Sequence, residues 1–445
     1  MPEDFDLVVV GTGSAALSVA YPCREAGWTV AVGDSRPYGG TCANRGCDPK
    51  KVLVGAGDVV DWAHRMTGHG LRGDGLRIDW PELMRFKRTF TDPVPDSRER
   101  ALEKAGIARF HGVASFRDRH TIDFAGHSLT ARHFVIASGA APVPLGIPGE
   151  DLLLTSDDFL ELETLPRRMV FIGGGYIAFE FAHLAARAGS QVTILHRGAR
   201  ALERFDSTLV DQLTAWTRQI GIDVRLNAPV TRVERAGAGF VVHAGDSSVE
   251  AVAVVHAAGR AANIGALNLA GAGVESTGRG VTVNEFLQSP SNPAVYAAGD
   301  SAASGPQLTP IAGYHGRVVA ANLLRGNHLS PNYDGFASTV FTVPPLASTG
   351  LTEDEARKRS LDFDVHAGDS SNWYSTRRVA AECSGYKILI EKTTDRILGA
   401  HILGPGAEEM INVFALAIRH RLSATAVRET LFAYPTHGSD AQYML

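Results

Sequence analysis

The chain has 445 residues, 44% of them hydrophobic and 20% charged, with a formal net charge of −5. That length exceeds one typical core and predicts about three domains of an ordinary globular protein. The mild negative charge gives no electrostatic drive toward nucleic acid or an anionic membrane, and no uninterrupted apolar stretch is long enough to span a bilayer. The start, Met1-Pro2-Glu3-Asp4, runs straight into an apolar strand and leaves no room for a signal peptide, so the cytoplasm is the expected compartment. In that compartment a close cysteine pair is more often catalytic or metal-binding than a structural staple.

Residues Leu7-Val8-Val9-Val10 predict a buried strand that runs into Gly11-Thr12-Gly13-Ser14-Ala15-Ala16 and then a helix. The glycines allow a tight turn and close approach to a pyrophosphate, and the helix opening at Ser14 and Ala15 supplies amide donors and a positive dipole end. A second apolar run, Trp28 to Val32, ends at Asp34, 23 residues after Gly11, where an acid can hold both ribose hydroxyls. Strand, glycine turn, helix and acid in register read as a cradle for flavin adenine dinucleotide (FAD).

Shortly downstream lies Gly39-Gly40-Thr41-Cys42-Ala43-Asn44-Arg45-Gly46-Cys47-Asp48-Pro49-Lys50-Lys51, which holds two of the four cysteines. Five residues of regular helix rise about 7.5 Å, beyond the roughly 7 Å Cα separation that a disulfide tolerates. If Cys42 and Cys47 bridge, the chain between them must leave regular helix, and Gly46 and Pro49 permit that. The alternatives are a chance pair of buried thiols or a zinc half-site, although structural zinc wants four ligands and Cys23 and Cys383 are isolated. A redox-active dithiol fed by a nucleotide cofactor is the favoured reading, with no resident metal.

The cradle pattern recurs. Met169-Val170-Phe171-Ile172 leads into Gly173-Gly174-Gly175-Tyr176-Ile177-Ala178, a helix, and the strand Gln191 to Leu195. The same 23-residue count from Gly173 lands on His196 rather than an acid, with Arg197, Arg200 and Arg204 close behind. Guanidinium groups bind a 2′-phosphate that a carboxylate would repel, so this cradle reads as one for NADPH. The alternative is three solvated surface arginines. Near the end, Glu409 to His420 predicts a helix whose Met410, Ile411, Phe414, Leu416 and Ile418 must be buried against its own domain or a partner subunit.

With these motifs in order, the chain resembles the flavoprotein disulfide reductases: glutathione reductase, dihydrolipoyl dehydrogenase, mercuric reductase and their relatives. Further markers are Ala137-Ser138-Gly139, Ile147-Pro148-Gly149, Glu180, Ala257-Ala258-Gly259-Arg260, Tyr296-Ala297-Ala298-Gly299-Asp300, Leu308-Thr309-Pro310 and Leu351 to Ala356. The resemblance spans essentially the whole chain. It implies an α/β fold with two Rossmann-like dinucleotide-binding domains and a C-terminal α+β dimerisation domain, hence a homodimer. The implied boundaries are 1–149 and 285–330 for FAD, 150–284 for NAD(P)H and 331–445 for the interface.

The resemblance also implies residue roles. Cys47 matches the flavin-proximal thiol and Cys42 the thiol that attacks substrate. Tyr176 matches the aromatic gate that moves when nicotinamide arrives, and Glu180 the acid that pairs with a lysine near the flavin, a role for which Lys50 and Lys51 compete. Gly40, Thr41, Ser138, Gly139, Gly259, Arg260, Gly299, Asp300, Leu308 and Thr309 match cofactor contacts. Arg45 favours a thiolate while Asp48 opposes one, and both positions usually hold apolar residues in this family.

The tail departs from the family. Its proton-donating histidine and orienting glutamate are replaced in Tyr434-Pro435-Thr436-His437-Gly438-Ser439-Asp440 by Tyr434 and Ser439. A tyrosine of ordinary pKa near 10 is a poor proton shuttle at neutral pH, which leaves His437 with Asp440 as a shifted pair or as an accidental surface histidine. The C-terminal metal-relay cysteines of mercuric reductases are missing, and Tyr21-Pro22 stands where glutathione reductases place an arginine pair. Three functions remain open: NADPH-driven reduction of a disulfide or thiol-bound metal ion through Cys42 and Cys47, direct flavin reduction of a quinone or oxygen, and a non-catalytic redox-responsive flavoprotein.

Overall fold

The computed structural model describes residues 3–73 and 75–445. The chain forms two compact units, one of Met1–Lys50, Phe86–Val143 and Gly259–Asn332, the other of Lys51–Arg85, Pro144–Ala258 and Tyr333–Leu445.

The first unit is organised by a parallel sheet with strands in the order Ala108–His111, Val30–Asp34, Glu3–Val10, His127–Ile136, Val295–Ala297. Leu7, Val8 and Val9 are wholly buried, as a central parallel strand covered on both faces requires. The helices Ser14–Glu25 and Thr309–Arg325 cross at small residues. A Cβ built on Gly316 would lie 2.5 Å from the Ala15 carbonyl oxygen, so glycine is what lets these helices approach. Beyond its parallel partners, His127–Ile136 pairs antiparallel with Thr121–Phe124, which pairs with Ala114–Phe116.

The second unit has a parallel sheet in the order Asp223–Arg225, Gln191–Leu195, Arg168–Ile172, Ala253–His256. Its strand Gln191–Leu195 has the expected bounds, and Arg168–Ile172 begins one residue early. The helix Tyr176–Arg187 buries Ala178, Phe179, Ala182 and Ala185. The Phe181 ring stacks on Phe159 with centroids 4.2 Å apart. Two antiparallel sheets complete the unit, of three strands (230–251) and five strands (337–403).

The helix Ala407–Arg419 lays Met410, Ile411, Phe414 and Ala417 on the five-stranded sheet. Leu416, expected on that face, is 58% exposed. Its position falls about 200° around the helix from Phe414, off the stripe that Met410 and Phe414 define. Lys387 lies buried between Asp206, 2.9 Å away, and Glu353, 3.0 Å away. Asp206 also caps the helix Ser207–Gln219 through the Thr208 and Leu209 amides, so the buried charges are fully partnered. Among the described residues no helix is long and apolar enough to cross a membrane.

Candidate active site

The first glycine turn is built by close approach. Gly11 has φ +110°, and a Cβ there would meet the Ala137 carbonyl oxygen at 2.4 Å. Gly13 caps the following helix without any side-chain hydrogen bond, which leaves the opening amides at Ser14 and Ala15 for an external anion. Gly40, at φ +72°, packs against this turn, and a Cβ on it would lie 2.4 Å from the Gly13 Cα. Asp34 accepts from the Thr12 amide at 3.0 Å, the Thr12 hydroxyl at 2.7 Å and the Arg36 amide at 3.0 Å. Three of its roughly four acceptor sites thus tie down the turn, leaving one for a ribose hydroxyl.

The return segments close the same unit. The Ser138 hydroxyl donates to the Asn263 carbonyl at 2.7 Å, and the Gly139 amide donates to the Ser301 hydroxyl at 2.9 Å. Arg260 donates to the Ala140 carbonyl at 2.6 Å, while the Gly259 carbonyl accepts from Val143. Burial pushes the Asp300 carboxyl up, and the Arg260 charge opposes this. The sequence reading missed His315, whose Nδ1 accepts from the Gly299 amide at 3.2 Å. Burial lowers its pKa to about 4, so it stays a neutral acceptor. The signal available was a histidine on the buried face of Thr309–Arg325, between Ile311 and Val318.

The two cysteines lie on either side of a helix break. Gly46, at φ −144° and ψ −114°, separates the helix Gly40–Arg45 from the helix Cys47–Arg65. It also has space only for hydrogen, since a Cβ would meet the Thr41 carbonyl oxygen at 2.9 Å. Pro49 falls in the first turn of the second helix, where its missing N–H costs nothing. The expected departure from regular helix is therefore present. Cys42 and Cys47 are both free thiols here, the reduced state of such a pair.

Cys47 Sγ lies 3.3 Å from the hydroxyl of Thr309, at the start of Thr309–Arg325, a contact across 262 residues of sequence that no local pattern announces. Its pKa falls to about 6, chiefly through a hydrogen bond from Cys42, with Thr309 and the Lys50 charge helping and burial opposing. The same hydrogen bond, with burial and the Cys47 thiolate, holds the Cys42 thiol far above the ordinary range. These causes favour the charged form of Cys47 and the protonated form of Cys42. Cys23 and Cys383 are buried, which pushes each to about 12 and leaves them inert. Among the described residues no group of three His, Cys, Asp or Glu side chains is arranged to hold a metal ion.

The two lysines have different surroundings. Lys50 acts on Cys47. Lys51, about 100° further around the helix, sits 4.4 Å over the Phe341 ring and 4.0 Å from Glu408 in the second unit. There, burial raises Asp58 to about 6 against the Lys51 charge, and Arg187 holds Asp61 at 2.7 Å.

In the second cradle Gly173 has φ +123°, and its Cβ would meet the Ala257 carbonyl oxygen at 2.2 Å. Gly175 caps Tyr176–Arg187 without a side chain, leaving the amides of the first turn, including Ile177, for an anion. The His196 ring lies over the turn, since a Cβ on Gly174 would be 2.5 Å from it, and its Nε2 is 2.9 Å from the Arg200 carbonyl. Arg197 and Arg204 are exposed, whereas the Nε of Arg200 is buried without a hydrogen-bond partner among the described residues. An orphaned buried guanidinium donor fits an incoming anion. Tyr176 is 49% exposed, and buried Glu180 accepts from the Phe341 amide at 2.9 Å.

At the tail, Tyr434 is 74% exposed. The His437 ring packs against Gly406, and burial and the Arg378 charge lower its pKa. Asp440 is pushed up by burial and takes a hydrogen bond from Ser375. Among the described residues no hydrogen bond joins His437 to Asp440, so the shifted pair is not formed. Ser439 closes a capping box with Thr436, a structural role in place of the family's glutamate.

The family model described as pyridine nucleotide-disulphide oxidoreductase matches residues 5–316, and that for its dimerisation domain matches residues 336–444. A glutathione reductase of Burkholderia cepacia is 33% identical over 97% of this chain and 96% of its own length. A mercuric reductase of Staphylococcus aureus is 32% identical over 97% of this chain and 80% of its own. In structure, the Cu(II) complex of the HOCl-induced flavoprotein disulfide reductase RclA from Escherichia coli superimposes with a TM-score of 0.90. It shares 27% identity and is matched over 100% of this chain and 99% of its own.

Proposed function

We propose, for a chain that belongs to the pyridine nucleotide-disulphide oxidoreductase family of enzymes, that it uses NADPH to reduce Cys42 and Cys47, which in turn reduce a disulfide or a thiol-bound metal ion. The observation that carries this reading is the placement of Cys42 and Cys47 on either side of the Gly46 break, with Cys47 Sγ 3.3 Å from the Thr309 hydroxyl. FAD fits the first cradle, where the close-packed glycine turn leaves the uncapped amides at Ser14 and Ala15 for a pyrophosphate and Asp34 keeps one acceptor for a ribose. Bound there, it would supply the step from hydride to electron pair. Cys42, Thr309 and Lys50 favour the charged form of Cys47, and Cys42 carries the proton that a departing thiolate needs. The exposed Leu416, Leu431, Tyr434 and Tyr443 of the second unit support assembly as a homodimer.

Anaerobic addition of NADPH to the holoprotein tests the reading. Alkylation and peptide mass measurement should find two new thiols, at Cys42 and Cys47, together with a long-wavelength absorbance from the Cys47 thiolate. Flavin bleaching with no new thiols would transfer the activity to a direct flavin reductase.

The unpartnered Arg200 Nε and the histidine in place of an acid support NADPH over NADH. Charge-assisted bonds to a phosphate contribute about 1.5–3 kcal/mol each. Replacing Arg197 and Arg200 together by Ala should therefore raise the KM for NADPH by about tenfold or more and leave that for NADH nearly unchanged. Equal efficiency of the unmodified enzyme with both nucleotides would refute the preference.

A further inference from the structure

Asp48 is the second residue of the helix Cys47–Arg65, and its Oδ1 lies 3.8 Å from Cys42 Sγ. The carboxylate is exposed and makes no ion pair among the described residues. Its place in the first turn holds it against the positive end of the helix, so the charge stays fixed at the mouth of the pair. The Lys50 charge, in the same turn, lowers the Cys47 pKa. An acceptor that reacts at Cys42 must bring its sulfur, and the charges it carries, within a few ångströms of this carboxylate.

From this geometry we infer that Asp48 is a specificity-determining residue, selecting acceptors that carry positive charge beside the reacting sulfur, such as amine-bearing disulfides, over carboxylate-bearing ones. The inference rests on the proposed function, in which Cys42 is the thiol that meets the acceptor. In that step Cys42 Sγ attacks one sulfur of the acceptor, the acceptor's S–S bond breaks, and the first leaving sulfur takes the proton from Cys42. The Cys47 thiolate then attacks Cys42, the mixed disulfide breaks, and the second sulfur leaves as a thiolate. The dithiol is oxidised to the Cys42–Cys47 disulfide as the acceptor gains two electrons.

At about 4 Å in water, one unit charge biases an encounter by about fivefold. A reagent pair of opposite sign should thus differ by about tenfold or more from Asp48 alone.

The test uses flavin-loaded full-length protein carrying Cys47→Ser, chemically reduced so that Cys42 is the reactive thiol. Its modification by trimethylammonium-ethyl and by sulfonato-ethyl methanethiosulfonate is followed by mass measurement of the Cys42 peptide. The ratio of cationic to anionic rates cancels any change in the thiolate fraction of Cys42. We expect this ratio to fall about tenfold in Asp48→Asn, to persist in Asp48→Glu, and to shrink in 1 M salt. A ratio unchanged in Asp48→Asn overturns the inference. Because reduction here is chemical, the ratio reads Asp48 independently of NADPH, whereas absence of NADPH-driven thiol release strikes only the proposed function.

Discussion

Cys47→Ser should lower thiol-dependent turnover on the order of 10³-fold or more, the scale seen when the nucleophile of a catalytic unit is removed. It should also abolish the thiolate absorbance, whereas Cys42→Ala should stop turnover equally but leave a thiolate at Cys47. The pH dependence separates the two roles. Cys47 has a folded pKa of about 6, below the ordinary thiol value of 9.0, because Cys42, Thr309 and Lys50 favour its charged form. The stability it contributes is therefore present above the ordinary value and is lost as pH falls through about 6. Thiolate absorbance of the reduced protein should follow the same midpoint. In Cys42→Ala the principal hydrogen bond is gone, so the midpoint should move up. A midpoint that stays put would show that Cys42 does not sustain the thiolate, and a thiolate signal surviving Cys47→Ser would reverse the assignment.

The second large effect is expected at Gly40. Alanine there must adopt φ +72° and place its Cβ 2.4 Å from the Gly13 Cα and 3.1 Å from the Gly13 nitrogen. The left-handed conformation costs about 1–2 kcal/mol, and relief of the clash must come from backbone that also forms the pyrophosphate turn. Gly40→Ala should therefore purify largely without flavin and unfold at a clearly lower temperature. Gly146→Ala is the matched comparison. It has φ +67° with nothing within 4 Å of a built Cβ, so it should show the conformational cost of about 1 kcal/mol alone. If Gly40→Ala retained full flavin and lost no more stability than Gly146→Ala, the close approach of the two glycines would have no energetic meaning.

Both cradles were legible because a glycine turn between strand and helix constrains spacing tightly. The same count from Gly11 and Gly173 led to Asp34, which holds its turn through Thr12, and to His196, whose ring packs against Gly174. The helix break at Gly46 was legible for a similar reason, since two cysteines five apart cannot meet on regular helix. What sequence could not separate was Lys50 from Lys51. They are neighbours on one helix, and only tertiary packing sends one to Cys47 and the other to Phe341 and Glu408. His315 and the Thr309 contact with Cys47 were hidden for another reason: the partners, Gly299 and Cys47, lie on other elements, so no periodicity reports the contact. Leu416 shows the limit of composition. It belongs to an apolar helix yet falls off the stripe that the sheet covers.

The burial of Cys23 and Cys383 sets how the protein meets oxidants and alkylating agents. Toward a thiol-directed electrophile arriving from solvent, a chain with four cysteines behaves as one with two. Thiol damage is channelled to the pair that the proposed NADPH-driven reduction would restore, and the other two cysteines are too buried to spare it. A whole-protein mass spectrum after brief alkylation of the folded enzyme thus doubles as a gauge of the redox state of that pair, without mutation or digestion.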